Sequence, residues 1–281
     1  MKVKATYMSG AGNLFTVLDN RTTGLNIKKA SEIAPALCSP HHKYFNTTEG
    51  LMLINNANTP NLNFEVEFFN PDGSTSMMCG NGSRCALRFA FDNNFIATDV
   101  RTVKFKMAGN LYLGSIHNSI PTVSFPPPIE SFHEVILDVE GIHFPVHYFN
   151  VGSDHVVIEE EVLIDVFNHL DSGFNFDLII PQIRHHRIFP RGVNVNVCRL
   201  IENVIQLKTF ERGVEGITGA CGTGAISTAL YFYHKSGTTS HTIIPPSGSP
   251  LQVVIHVANE QITSIDLTGS ADYIGEAEIT L

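Results

Sequence analysis

Apolar and polar positions along the chain change period twice in the same way. Residues 63–69, Asn63-Phe64-Glu65-Val66-Glu67-Phe68-Phe69, alternate until the last step and predict a half-buried strand. Asn70-Pro71-Asp72-Gly73-Ser74 follows as a turn, with Pro at its first central position and Asp and Gly tolerating left-handed dihedrals. From 83 to 91 the composition shifts to Ala, Leu, Arg and Phe and reads as a helix. Residues 204–210 alternate again, Glu211-Arg212-Gly213 begins a loop, and 225–233 form an apolar helix expected to stop near Gly237. Shorter strand-like runs lie at 103–106, 121–125, 144–149, 155–159, 193–198, 242–244, 251–256 and 261–268, and helical stretches at 31–37 and 163–170. Pro126-Pro127-Pro128 can neither donate backbone hydrogen bonds nor continue a strand, and marks a boundary near mid-chain. The pattern predicts an α+β fold of two halves, residues 1–127 and 128–269, each a curved, mostly antiparallel sheet around a central helix.

Composition narrows the function. At 281 residues, 43% hydrophobic and 16% charged, the chain can bury the cores of two ordinary domains. A net charge of −9 and the lack of any Lys/Arg run argue against nucleic acid or an anionic membrane as partner. Met1-Lys2-Val3-Lys4-Ala5 opens directly into a strand-like pattern, and no run of about 18 apolar residues exists, so neither a secretory signal nor a membrane span is expected. The five cysteines are odd in number and sparse, which fits a reducing, cytoplasmic setting better than a disulfide framework. No C-x-x-C spacing supports a metal site; His41-His42 and His185-His186 read as surface-loop pairs, and Cys38, Cys85 and Cys198 as packing residues.

Chemistry concentrates where each alternating segment gives way to a helix. Cys79-Gly80-Asn81-Gly82 and Cys221-Gly222-Thr223-Gly224 repeat one pattern, Cys-Gly-x-Gly, about half a chain apart. Glycine lets backbone N–H groups approach a ligand, and at a helix start those groups lack intrahelical partners and carry the positive end of the dipole. Each loop can therefore cradle a carboxylate, and the same field raises the thiolate fraction of a nearby cysteine. Two such elements suit one reaction: a thiolate removes the proton α to a carboxylate, and a thiol returns one on the other face. One such motif alone is weak, since a cysteine near glycines is more often a small core residue. The pair in matched context is stronger.

At these residues the chain resembles the diaminopimelate epimerases, PLP-independent enzymes of lysine and peptidoglycan-precursor synthesis. Met8-Ser9-Gly10-Ala11-Gly12-Asn13 is similar to that family's N-terminal glycine-rich segment. Phe69-Asn70-Pro71-Asp72-Gly73-Ser74 with the segment from Cys79 to Cys85 resembles its first signature. Val151-Gly152-Ser153-Asp154-His155 and Gly192-Val193-Asn194-Val195-Asn196 resemble two internal segments, and Glu211-Arg212-Gly213 with the segment from Ala220 to Ala225 its second signature. The resemblance implies two mirrored α/β lobes with the site in a cleft, the N-terminal lobe completed by the segment from about 270 to 281. It implies catalysis by Cys79 and Cys221 without a cofactor, supported by His155 and Glu211. Gly80, Asn81, Gly222 and Thr223 would hold the reacting carboxylate. Asn13, Asn70, Ser153, Asn194, Glu211 and Arg212 would read the distal amino and carboxylate groups, a division suited to a bidentate guanidinium and to amides that donate or accept. The implied partner is a small amino acid, with a homodimer left open.

Four positions depart from the family pattern: Asp154 stands where Pro is usual, Ile217 where many members carry Glu, Gly50 where some place a side-chain ligand, and Met107 where Thr is commoner. None removes a chemical group the reaction needs; all bear on substrate identity. Two other readings therefore stay open: a racemase or isomerase of another amino acid on the same fold, and a non-enzymatic dithiol redox or ligand-binding protein. Asn81 stands where proline-racemase-like relatives carry His.

Overall fold

The computed structural model describes residues 2–39, 47–75, 78–97, 99–168 and 173–280; His41, His42 and Leu170 lie outside them. The chain divides into two compact units, Met1–Phe125 with Thr268–Leu281, and Pro126–Leu267. Strands predominate over a few helices, an α+β architecture.

In the first unit, β1 (Lys2–Gly10) and β2 (Asn13–Asp19) form a hairpin whose tip, Ala11 and Gly12, sits at positive φ (54° and 101°). A single turn, α1 (Asn20–Thr23), and α2 (Ile27–Leu37) lead to β3 (Leu51–Asn56) and β4 (Phe64–Phe69). Then come α3 (Gly80–Asp92) and the meander β5 (Val103–Met107), β6 (Asn110–His117) and β7 (Ile120–Phe125). Strands β2 and β3 are parallel, as are β4 and β5; the other neighbours in the order β1-β2-β3-β4-β5-β6-β7 are antiparallel. A parallel pair needs a crossover, and α3 is the crossover from β4 to β5. It packs against β1, β2, β3, β6 and β7, with its residues from Gly80 to Leu87 all buried. On the other face α2 covers Val3, Ala5, Leu18, Leu51 and Leu53.

The second unit holds β8 (Glu130–Val139), β9 (Ile142–Asn150), β10 (Asp154–Glu159), α4 (Glu160–Phe167), α5 (Phe176–Arg184), β11 (Asn194–Ile201) and β12 (Val204–Glu211). It continues with the short β13 (Gly216–Ile217), α6 (Gly222–Ser236), β14 (Ser240–Ile244), β15 (Leu251–Ala258) and β16 (Gln261–Gly269). The chain then returns to the first unit as β17 (Asp272–Thr280), antiparallel to β1 from Lys2↔Thr280 to Ser9↔Asp272. Pair by pair, β8-β9-β10-β11-β12-β14-β15 repeats the directions of β17-β1-β2-β3-β4-β5-β6, with parallel pairs at β10–β11 and β12–β14. Helix α6 takes the place of α3 and ends at Gly237, whose φ of 75° and N–H bond to the Tyr233 carbonyl close it.

Strand periodicity sorts this unit's side chains into two layers. Val156 and Ile158 on β10 and Val195 and Val197 on β11 join the core under α4 and α5, with Leu163, Phe167, Ile179 and Ile183. The intervening His155, Asn194 and Asn196 are buried on the opposite face, the side of α6. Besides the single turn of α1, which was not expected, three helices differ from the sequence reading. Helix α2 begins four residues earlier than expected, because Asn26 caps it through Lys29 N–H. Helix α4 is shifted toward the N-terminus, and α5, which contains Pro181, is additional.

Candidate active site

The two Cys-Gly-x-Gly segments fold alike. Cys79 is the N-cap of α3 at φ −112°, ψ 114°, and Cys221 the N-cap of α6 at φ −124°, ψ 112°. Each sulfur accepts a hydrogen bond from the backbone N–H three residues on, Gly82 or Gly224, at 3.4 Å. This is the geometry in which a Ser or Asp side chain caps a helix, here with sulfur as acceptor at the positive end of the dipole. Cys38, Cys85 and Cys198 cap no helix N-terminus, and burial pushes each of these thiols up.

In the first unit, the β1–β2 hairpin meets the first turn of α3. A Cβ on Gly10 would lie 2.6 Å from the Asn81 carbonyl oxygen, so only glycine permits this approach. Asn13, the first residue of β2, is 3% exposed. Asn70 opens the turn after β4, its Nδ2 on Ser74 Oγ at 2.9 Å. Arg84, which the sequence reading passed over, is entirely buried within α3. Its Nη1 donates to the Gly80 carbonyl (3.1 Å) and its Nη2 to Asn81 Oδ1 (2.9 Å), while Nε has no hydrogen-bond partner among the described residues. Burial lowers this guanidinium only to about 10, so it stays cationic at neutral pH, and it interacts electrostatically with Cys79. Gly50, where a ligand side chain was conceivable, has no room for one: a Cβ would lie 2.2 Å from the Phe68 ring.

In the second unit a directional hydrogen-bond chain converges on Cys221. Thr209 Oγ1 donates to Asn196 Oδ1 (2.9 Å), and Asn196 Nδ2 donates both to the Val156 carbonyl (2.9 Å) and to His155 Nδ1 (3.0 Å). An acceptor Nδ1 places the ring proton on Nε2. Nε2–H then faces Ser153 Oγ (2.8 Å) and Thr223 Oγ1 (3.0 Å), with the Asn194 amide nitrogen farther off at 3.4 Å. Thr223 in turn lies 3.5 Å from Cys221 Sγ, with its hydroxyl proton left to donate to sulfur. Burial pushes His155 down to about 3, against the opposing charge of Asp154, so the imidazole is neutral. Glu211 receives hydrogen bonds from Thr218 and Cys221, and burial outweighs both in pushing its carboxyl above the ordinary range.

The remaining expected residues gather beside this chain. Asn194 Oδ1 accepts from the Arg212 backbone N–H (2.8 Å), and its Nδ2 donates to the Asp154 carbonyl (2.9 Å). Arg212 Nη1 lies 3.5 Å from Asp154 Oδ2. Asn196, Thr209 and Thr218 were not foreseen as part of the site. The alternation of 193–198 carried a signal for Asn196, which shares the face of Asn194.

Comparison with known proteins agrees with this architecture. The diaminopimelate epimerase family model matches residues 5–118 and 147–274. The chain is 32% identical over 285 residues to the diaminopimelate epimerase of Aquifex aeolicus, covering 97% of this chain and 96% of that one. It is 31% identical over 280 residues to that of Chlorobaculum tepidum, covering 98% and 100%. Among solved structures, a phenazine biosynthesis PhzF-family protein from Enterococcus faecalis superimposes with a TM-score of 0.67 at 14% identity, covering 100% of both chains. A hydroxyproline epimerase from Agrobacterium vitis does so with 0.65 at 15%, covering 99% and 92%. At such identities the likeness is one of fold. The match to the family model and to the full-length relatives goes further: this chain belongs to the diaminopimelate epimerase family.

Proposed function

We propose that the protein interconverts LL- and meso-diaminopimelate without a cofactor, in lysine and peptidoglycan-precursor synthesis, with Cys79 and Cys221 as its acid–base pair. The observation that carries this reading is the shared cap geometry: two thiols, each at a helix N-terminus, each accepting the same backbone hydrogen bond at 3.4 Å. Removing a proton α to a carboxylate builds charge on that carboxylate, and N–H groups fixed at a helix start meet the charge without reorganising. Gly80 and Asn81, and Gly222 and Thr223, supply those groups. Asn13, Asn70, Ser153, Asn194, Glu211 and Arg212 hold the distal end of the substrate.

The surroundings differ in sign. Cys79 interacts with the buried cation of Arg84, whereas Cys221 donates to the Glu211 carboxyl and receives Thr223. A cation favours thiolate and a carboxylate favours thiol. In either direction one cysteine acts as base and the other as acid, and the two exchange roles when the reaction runs backwards.

Incubation with LL-diaminopimelate in D2O tests the reading. The wild-type protein is expected to place deuterium at one α-carbon as meso product forms. Cys79→Ala and Cys221→Ala should each lower turnover by about 10³-fold or more, the scale of general acid–base catalysis. Near-normal epimerisation by either variant would exclude the two-cysteine mechanism.

A further inference from the structure

The chain's departure at position 154 places a carboxylate inside the group of residues assigned to the distal end of the substrate. Asp154 begins β10, and its side chain is only 10% exposed. A carboxylate so enclosed needs strong partners, since an unpaired buried charge costs several kcal/mol. It has three. Tyr148 OH donates to Oδ1 at 2.6 Å, Arg191 Nη2 to the same oxygen at 3.0 Å, and Arg212 Nη1 to Oδ2 at 3.5 Å. Burial and the Asp154 acceptor raise Tyr148 to about 12, so the phenol keeps its proton and stays a donor.

The contacts are unequal in a useful way. Oδ1 takes two short bonds that fix the carboxylate, and Oδ2 is left facing Arg212. Among the described residues the Arg212 guanidinium is engaged through Nη1 alone, by Asp154 Oδ2 and the Arg191 carbonyl, both at 3.5 Å. The Nε–Nη2 edge, which suits a carboxylate in bidentate fashion, is not used by either contact. The backbones are tied as well, because Asn194 joins the Asp154 carbonyl to the Arg212 N–H. Arg191 comes from a tight turn closed by Gly192 at φ 66°, where a Cβ would strike the Arg184 guanidinium at 1.6 Å. Two guanidiniums and one carboxylate leave one net positive charge, the complement of one substrate carboxylate.

We propose that Asp154 is the positioning residue of the distal-carboxylate subsite: it holds Arg212 by an internal ion pair while Arg191 balances its charge. The proposal rests on the reading of Arg212 as the residue that grips the distal carboxylate. Asp154→Asn keeps the shape and removes the charge. In this variant KM for LL-diaminopimelate should rise about tenfold with kcat changed less than about threefold, the signature of lost binding rather than lost chemistry. Phenylglyoxal, followed by peptide mass mapping, should modify Arg212 at least about fivefold faster than in the wild-type protein, because the guanidinium is released. An unchanged labelling rate overturns the proposal, as does an unchanged or lowered KM. If the wild-type protein fails to turn over diaminopimelate, the epimerase reading falls, and the labelling of Arg212 alone decides the role of Asp154.

Discussion

His155 has no exposed surface, and its enclosure weighs on the charged form alone. With a folded value of about 3 against an ordinary one of 6.5, the imidazole stays neutral in the folded chain while the unfolded chain takes up a proton below pH 6.5. The sign follows: stability is fully present above pH 6.5 and is lost as the pH falls toward 3. Between pH 8 and pH 5 the wild-type protein should lose about 2 kcal/mol more than His155→Gln, by urea denaturation at each pH. Equal losses in the two proteins would mean that His155 is charged in the fold. At this scale the sequence nominated candidate residues and was silent about their state. Matched spacing singled out Cys79 and Cys221 from five cysteines. Nothing in a linear sequence says that Asn196 donates to Nδ1 and so fixes the tautomer, because that bond depends on the register Val157↔Asn196 between parallel strands. Arg84 was missed for the opposite reason: an arginine on a helix reads as a solvated charge, and here it is enclosed.

Helix starts built on one pattern tolerate change unequally. A Cβ on Gly224 would lie 2.5 Å from Asn196 Oδ1 and 2.7 Å from Thr209 Oγ1, the two groups that lock His155. The corresponding atom on Gly82 meets only Met52 Sδ at 3.4 Å and Cys79 at 3.5 and 3.6 Å, ordinary contacts. Gly224→Ala should therefore cost about 2 kcal/mol by overpacking, and Gly82→Ala less than about 1 kcal/mol, since alanine gains helix propensity. Thermal unfolding of both variants reads the difference, and equal destabilisation would refute it. Elements with a clean period were visible beforehand: β4 with its burial alternating over Phe64, Val66 and Phe68, β12 likewise, and the apolar α6. Two of those missed, β3 and α5, lack a period. Strand β3 lies between parallel β2 and antiparallel β4 with Leu51, Met52, Leu53 and Ile54 all buried, so its apolar run cannot be told from a helical segment. Helix α5 carries Pro181, which argues locally against a helix, yet its Asn175 cap and the burial of Ile179, Ile180 and Ile183 hold it.

The whole chain repeats one order of strand directions, and the repeat closes only because the last strand returns to the first unit. Strand β17 gives β1 its second neighbour along eight residue pairs, with a register shift between Tyr7 and Met8. The cross-strand ion pairs Lys2–Glu278 and Lys4–Glu276 are mostly exposed and contribute little. The stabilising part is apolar: Ile279, 4% exposed, joins Val3, Ala5 and Tyr7 in the core beneath α2, and burying such a side chain contributes about 2 kcal/mol. Without β17, β1 also becomes an edge with a row of unpaired N–H and C=O groups next to that opened core. Truncation after Gly269 should thus weaken one unit selectively. Hydrogen exchange is expected to show lost protection in β1 and β2, the strands that carry Gly10 and Asn13 to the start of α3. Strands β10, β11 and β12 rest on a separate core of Val156, Ile158, Val195 and Val197, and should keep theirs. Uniform loss across both sets would show that the two units unfold as one cooperative body, and retained protection in β1 would show that the returning strand is dispensable to the frame around Cys79.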